Sequence, residues 1–232
     1  MLSVSTDKVN VDAREVYRYL GYRQSLPDPS VAERVEECIR QIQEASQLRY
    51  YCRRFPIEID SSKESIKIEG VTFVSGDLIR HLKGCVEAFV FGATIGVGAD
   101  RLIARSGVNN MMEAAMFQAA GAAYIEAYCD EIDLRIKEMV KNEGREARTR
   151  FSPGYGDFVL DDQRKLFDLL DLTKHTGISL TDGMLMMPSK SVTAIIGVTC
   201  EAAASDERGK GNGMPDHDCS SCSLSDCQFR RT

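Results

Sequence analysis

Tryptophan is absent from the 232 residues, and no run of eighteen apolar residues occurs, so no transmembrane helix is expected. The first residues, MLSVSTDKVNVDAREVY, contain no apolar core of the kind a secretory signal needs. A basic excess is also missing: 29 Lys and Arg face 35 Asp and Glu, a formal net charge of −6. A general nucleic-acid binder is more often basic, so that function is disfavoured. There is no Ser/His/Asp set, no H-E-x-x-H and no paired-acid spacing, hence no self-evident hydrolase. Internal repeats are lacking too. Cysteine is not scarce. Eight occur, and in a chain without a visible signal they read as reduced thiols or metal ligands of a cytoplasmic protein. Hydrophobic residues make up 43%, enough for a real core.

Asp12 caps a predicted short helix, AREVYRYLGY, stopped by Gly21. Asp28-Pro29 opens another, SVAERVEECIRQIQEASQLRYYCRR, with Val31, Val35, Cys38, Ile39 and Ile42 at helical spacing. From Phe55 the pattern changes: PIEID and SIKIEG alternate as half-buried strands do. Ser75-Gly76-Asp77 precedes a short helix, VEAFVFGATIG reads as a buried strand, and ADRLIARSG reads as a helix. The strongest helical pattern runs from about Asn110 to Asn142, with an apolar stripe from Met112 to Met139 in steps of three and four. Within it, AAGAA at 119–123 lets a neighbour approach closely. DDQRKLFDLLDL reads as a helix capped by Asp161 or Asp162, and GISLTDGMLMMP and KSVTAIIGVT as two strands joined at Pro188-Ser189. From Glu201 the composition becomes that of a flexible linker, followed by a cysteine motif. The domain reading is therefore 1–52 helical segment, 53–200 α+β domain, and 201–232 linker and tail.

Four groups of residues invite chemistry. Gly92, Gly96 and Gly98 lie between a strand and a helix, but their spacing fits neither dinucleotide nor Walker loops, which favours a tight turn over a phosphate site. Glu126 lies at the edge of the apolar stripe, where an ionised carboxylate must find donors or water. A ligand hydroxyl or ammonium would serve; so would solvent, Arg101 or Arg105. Asp133 falls on the same arc. The run Lys141, Arg145, Arg148, Arg150 closes the helix, where cations suit the dipole. Arg150 stands apart because it opens R-F-S-P-G-Y-G-D: its guanidinium can hold a carboxylate by two parallel hydrogen bonds. Gly154 and Gly156 bare the backbone, and Tyr155 offers a ring. That set suits a ligand with a carboxylate and a flat base. Finally, Cys219, Cys222 and Cys227 with His217 make a compact set for zinc or for an iron–sulfur cluster, the alternative being a reactive thiol tail.

R-x-x-P-G-Y at Arg150–Tyr155, H-T-G-x-x-L-T-[DE] at His175–Asp182 and M-x-P-x-x-S-V at Met186–Val192 resemble, in order and separation, the activation domain of cobalamin-dependent methionine synthase. The likeness spans roughly residues 70–198. It implies an α+β fold around a twisted, mainly antiparallel sheet with flanking helices. It also implies binding of S-adenosylmethionine and docking on a cobalamin domain. There an electron from a flavodoxin-type donor and a methyl from S-adenosylmethionine return oxidised cob(II)alamin to methylcobalamin. By the resemblance Arg150 holds the methionine carboxylate, Pro153, Gly154 and Tyr155 line the adenosine side, and Glu126 faces the ligand, with Asp130 one turn on as the alternative register. The N-terminal aspartate of the family has no clear counterpart here, and a cysteine tail replaces the usual further sheet and helix. A chain of this length has no room for the other methionine synthase modules. The reading is a stand-alone activation subunit for a cobalamin-bearing methionine synthase. The alternative is a metal- or cluster-bearing activator or docking module for another corrinoid protein.

Overall fold

A computed structural model of the protein describes residues 9–22 and 26–200. Two helices open the chain, α1 (Ala13–Tyr19) and α2 (Pro29–Ala45). Strands β1 (Arg49–Asp60), β2 (Ser65–Ile68) and β3 (Val71–Val74) lead to α3 (Gly76–His81), β4 (Cys85–Thr94), α4 (Val97–Asn109) and the long α5 (Met111–Asn142). Then come β5 (Ala147–Phe151), α6 (Asp162–Leu170), α7 (Leu172–Thr176), the short pair β6 (Ser179–Leu180) and β7 (Met186–Met187), and β8 (Ser191–Thr199). Six strands form one antiparallel sheet in the order β3-β2-β1-β4-β8-β5, with helices on its flanks, and β6-β7 make a separate hairpin. This is the α+β class read from the sequence. The described residues divide into two compact units. One holds the chain to Cys52, Phe91–Arg135 and Leu170–Thr193; the other holds Arg53–Val90, Ile136–Leu169 and the chain from Ala194.

Local chemistry explains several boundaries. The Asp12 side chain accepts the Arg14 N–H at 2.9 Å, as an N-cap should. Pro29 sits in the first turn of α2, where its missing N–H costs nothing. That helix stops at Ala45, well before the helical pattern of the sequence runs out. RYYCRR belongs instead to β1, because its aromatic residues suit a pleated surface and long-range pairing overrides the local period. VTFV forms β3, paired antiparallel to β2 through a turn at Glu69 and Gly70, both at positive φ. GISLTDGMLMMP makes the β6–β7 hairpin rather than a single strand, while β8 forms as read.

In the first unit the buried face of α5 carries Phe117, Ile125, Tyr128 and Ile132, and α2 contributes Val35, Cys38 and Ile42. In the second, Phe55, Phe73, Phe89, Phe158, Leu166 and Ile196 are buried. Each fully buried side chain of this size contributes about 1.5–3 kcal/mol. The glycines after β4 serve close packing. A Cβ on Gly98 would lie 1.9 Å from the Ala45 carbonyl oxygen, and Gly96 has φ +82° against the Gln47 backbone. The N-terminal end of α4 is thus covered by the segment leaving α2, which is a tight turn and not a phosphate cradle. Gly98→Ala should destabilise the protein by about 1–3 kcal/mol through overpacking, read as a lower urea midpoint with an unchanged slope.

Candidate functional site

Arg150 lies on β5, where it pairs with Ile196 of β8. The β5–β8 register shifts between Ala147 and Arg150. In an unbroken strand Arg148 and Arg150 would share a face; across the irregularity Arg148 stays exposed while Arg150 is 9% exposed. A guanidinium this buried is held in place by its surroundings, which favours paired hydrogen bonding over a loose charge.

The loop that follows is a tight, self-bonded turn. Gly154 N–H donates to the Phe158 carbonyl at 2.7 Å, Phe158 N–H to Tyr155 at 3.0 Å, and Tyr155 N–H to Ser152 at 3.3 Å. Gly154 takes φ +95°, and among the described residues the only atom near its missing Cβ is Leu160 Cδ1 at 3.8 Å, which leaves space beside its backbone. Pro153 is buried, and the Tyr155 ring is half exposed, 6.2 Å from Phe151. Beneath the turn, Phe158 stacks on Phe151 at 6.2 Å and meets Phe73 edge-on at 5.9 Å. His81 stacks on Phe151 at 5.0 Å and reaches the Thr149 carbonyl at 2.7 Å.

What fixes the turn is Asp157, which the sequence reading passed over. Its carboxylate accepts the Ser75 hydroxyl, the Gly76 N–H at 2.8 Å and the Asp77 N–H at 3.1 Å, all at the start of α3. In return the Asp157 N–H donates to Asp77 Oδ2 at 3.0 Å. Gly156 permits this approach: it has φ +54°, and a Cβ there would lie 2.1 Å from that same Asp77 oxygen. Of the two loop glycines, then, Gly156 serves the scaffold and Gly154 faces open space. The signal available in the sequence was Ser75-Gly76-Asp77, a helix start with spare N–H groups, paired with a Gly-Asp 80 residues on.

Glu126 lies on α5 in the first unit and is partly buried. It stands close enough to Tyr19 of α1 to help raise that phenol's pKa, although burial is the larger cause. Tyr19 in turn carries the Arg18 guanidinium 4.6 Å over its ring. Neither was read from the sequence as a neighbour of Glu126. Asp130 is partly buried and Asp133 is 4% exposed. The basic run splits by role. Arg145 donates to the Thr199 carbonyl and pairs with Glu87, which also takes Arg54. Arg148 donates to the Lys83 carbonyl and, with Arg80, His81, Lys83, Ala147 and Thr149, lines an open groove of about 770 Å³. Cys219, Cys222, Cys227 and His217 lie outside the described residues, among which no cluster of three or more His, Cys, Asp or Glu could hold a metal.

Residues 90–204 match the family model described as vitamin B12 dependent methionine synthase, activation domain. They belong to this activation-domain family. The match takes in the Arg150–Asp157 turn, the His175–Asp182 segment and β8, and leaves α1–α3 and β1–β3 outside. A solved structure, the MetH reactivation domain bound to AdoHcy, has the same fold: TM-score 0.59 at 16% identity, over 81% of this chain and 73% of that one. No curated protein matches the chain.

Two outcomes test the contacts that hold the second unit together, one at the turn and one at Glu87. Asp157→Ala should remove the hold on α3 and cost about 1–3 kcal/mol, since three donors lose their acceptor, with faster amide exchange at Gly76, Asp77 and Gly154. Burial raises the Glu87 pKa, but hydrogen bonds from Arg145 and Arg54 outweigh it and keep the carboxyl below its ordinary 4.5. A carboxyl depressed by folding stabilises the native state above its unfolded pKa, and that stabilisation is lost as the pH falls through the folded value. Glu87→Gln should therefore cost about 1 kcal/mol at neutral pH, and the gap to wild type should close below pH 4.5. A gap independent of pH would contradict the pairing.

Proposed function

We propose that this chain binds S-adenosylmethionine and acts as an activation subunit for a cobalamin-dependent methionine synthase, supporting reductive remethylation of the partner's cob(II)alamin to methylcobalamin. The observation that carries the reading is Arg150, buried on β5 at the head of a locked Pro153-Gly154-Tyr155 turn within the family match. In this reading the Arg150 guanidinium takes the methionine carboxylate. Gly154 and Pro153 present backbone and ring to the adenosine, and the half-exposed Tyr155 ring packs on it. AdoHcy, found in the MetH neighbour, is S-adenosylmethionine less its methyl group, so a site of this kind would suit both.

The cobalamin belongs to the partner, as does the reaction at cobalt; this chain's part is to hold and present the methyl donor. The groove lined by Arg80, Lys83 and Arg148 is a landing place for an acidic, flavodoxin-type electron donor, whose association would fall with added salt. The domain reading of 53–200 as the activation-domain-like part, and zinc or an iron–sulfur cluster at Cys219, Cys222, Cys227 and His217, belong to the same proposal. Anaerobic purification with iron and zinc analysis tests the tail. Iron with visible absorbance would favour the alternative, a redox activator of another corrinoid protein.

Calorimetric titration with S-adenosylmethionine tests the central claim. Saturable heat and a rise in melting temperature are expected. Arg150→Ala should weaken binding by about 1.5–3 kcal/mol, the range for hydrogen bonds to charged groups, while decarboxylated S-adenosylmethionine should bind wild type and variant alike. No heat and no thermal shift at millimolar ligand would overturn it.

A further inference from the structure

Lys190 has no place in the site described above, and it is only 8% exposed. It stands where β7 gives way to β8, in the first unit. Its backbone is fixed, because its carbonyl accepts the Ile95 N–H at 3.1 Å and the Thr94 hydroxyl at 3.2 Å. Its side chain runs across Gly121 of α5. Cε, Cγ and Cδ lie 3.1, 3.3 and 3.5 Å from where a Gly121 Cβ would be. Gly121, flanked by Ala119, Ala120, Ala122 and Ala123, is therefore the trough that seats a lysine stem.

Among the described residues, the ammonium at the end of that stem has neither a hydrogen bond nor an ion pair. Among the described residues, the carboxylate whose field it feels is Asp100, whose two oxygens accept from the Ser189 N–H and hydroxyl. Burial lowers the Lys190 pKa, and Asp100 offsets this only in part. A lysine stem laid on apolar surface ordinarily carries its head out to water, and a buried cation without a partner is costly. Here the stem is seated along Gly121 while the head keeps access to solvent, where an anion can replace water as its partner. A cation preorganised in this way offers an anion a partner at little further ordering cost.

We propose that Lys190, seated on the small-residue trough of α5, is the anchor of a binding site for the oxyanion group, carboxylate or phosphate, of a small ligand. The site does not rest on the S-adenosylmethionine reading: its residues are all in the first unit, and its test uses simple anions.

The full chain, isotope-labelled at lysine, is titrated with inorganic phosphate and separately with acetate, each against sodium chloride of equal ionic strength, while the Lys190 Cε–Hε NMR signal is followed. A saturable shift of that signal with phosphate, acetate or both is expected, and the stronger of the two identifies the ligand's group. Lys190→Met should weaken anion binding about tenfold or more while melting no lower than wild type, because an apolar stem of similar length keeps the packing on Gly121; Lys190→Arg should retain binding. A Lys190 signal indifferent to both anions would overturn the proposal without recourse to any variant. Equal phosphate binding by wild type and Lys190→Met would also overturn it, by placing the anion elsewhere.

Discussion

The Asp157 carboxylate sets the shape of the second unit's Arg150–Asp157 loop. It satisfies two N–H groups and a hydroxyl at the first turn of α3, groups that a helix start leaves without intrahelical partners. The carboxylate suits the partial positive charge there, and the reciprocal bond from its own N–H to Asp77 closes a ring of contacts. Ser75 is already the ordinary cap of α3, through its bond to the Leu78 N–H at 2.9 Å. Asp157 is thus a second cap, supplied 80 residues away in sequence. A turn tied at Asp157 and continuous with β5 at Phe151 has little freedom between, so Pro153, Gly154 and Tyr155 are presented in one conformation rather than many. Such preorganisation lowers the ordering cost that any ligand must meet.

This constraint also separates two glycines that look alike in sequence. Both have positive φ. Only one has open space around its missing side chain, and the other is pressed against Asp77. The same division of labour runs through the arginines. Arg54 and Arg145 neutralise Glu87, Arg148 borders a groove, and Arg150 is buried on the strand. A run that reads as one basic patch is therefore several assignments, made by a register shift in β5 and by carboxylates far away in the chain.

Legibility in the sequence follows the range of the interactions. α5 was readable over nearly its whole length because its stripe repeats locally, and Asp12, Pro29 and Ser75 marked starts by chemistry contained within one turn. β5, with ARTRF, carries no apolar alternation, and it is a strand because β8 pairs with it. β1 begins six residues before its alternation does, for a similar reason. In the candidate site, Arg150 and the P-G-Y turn could be singled out by residue type and spacing. Asp157, Asp77 and the purpose of Gly156 were not, since their roles exist only once α3 and the loop meet.

Small residues illustrate the limit of local reading most sharply. AAGAA in α5 could be read as a place of close approach, and it is one, but composition alone cannot say what approaches. A packed helix would have made it purely structural. Instead the visitor is a lysine stem lying over Gly121, which converts a packing feature into an electrostatic one. Arg150 and Lys190 then pose the same physical problem, a cation removed from most of its water. Arg150 meets it with a planar, hydrogen-bonding head and partners of its own. Lys190 has a point charge and, among the described residues, no partner, so an anion reaching it would add the contact that its neighbours do not supply.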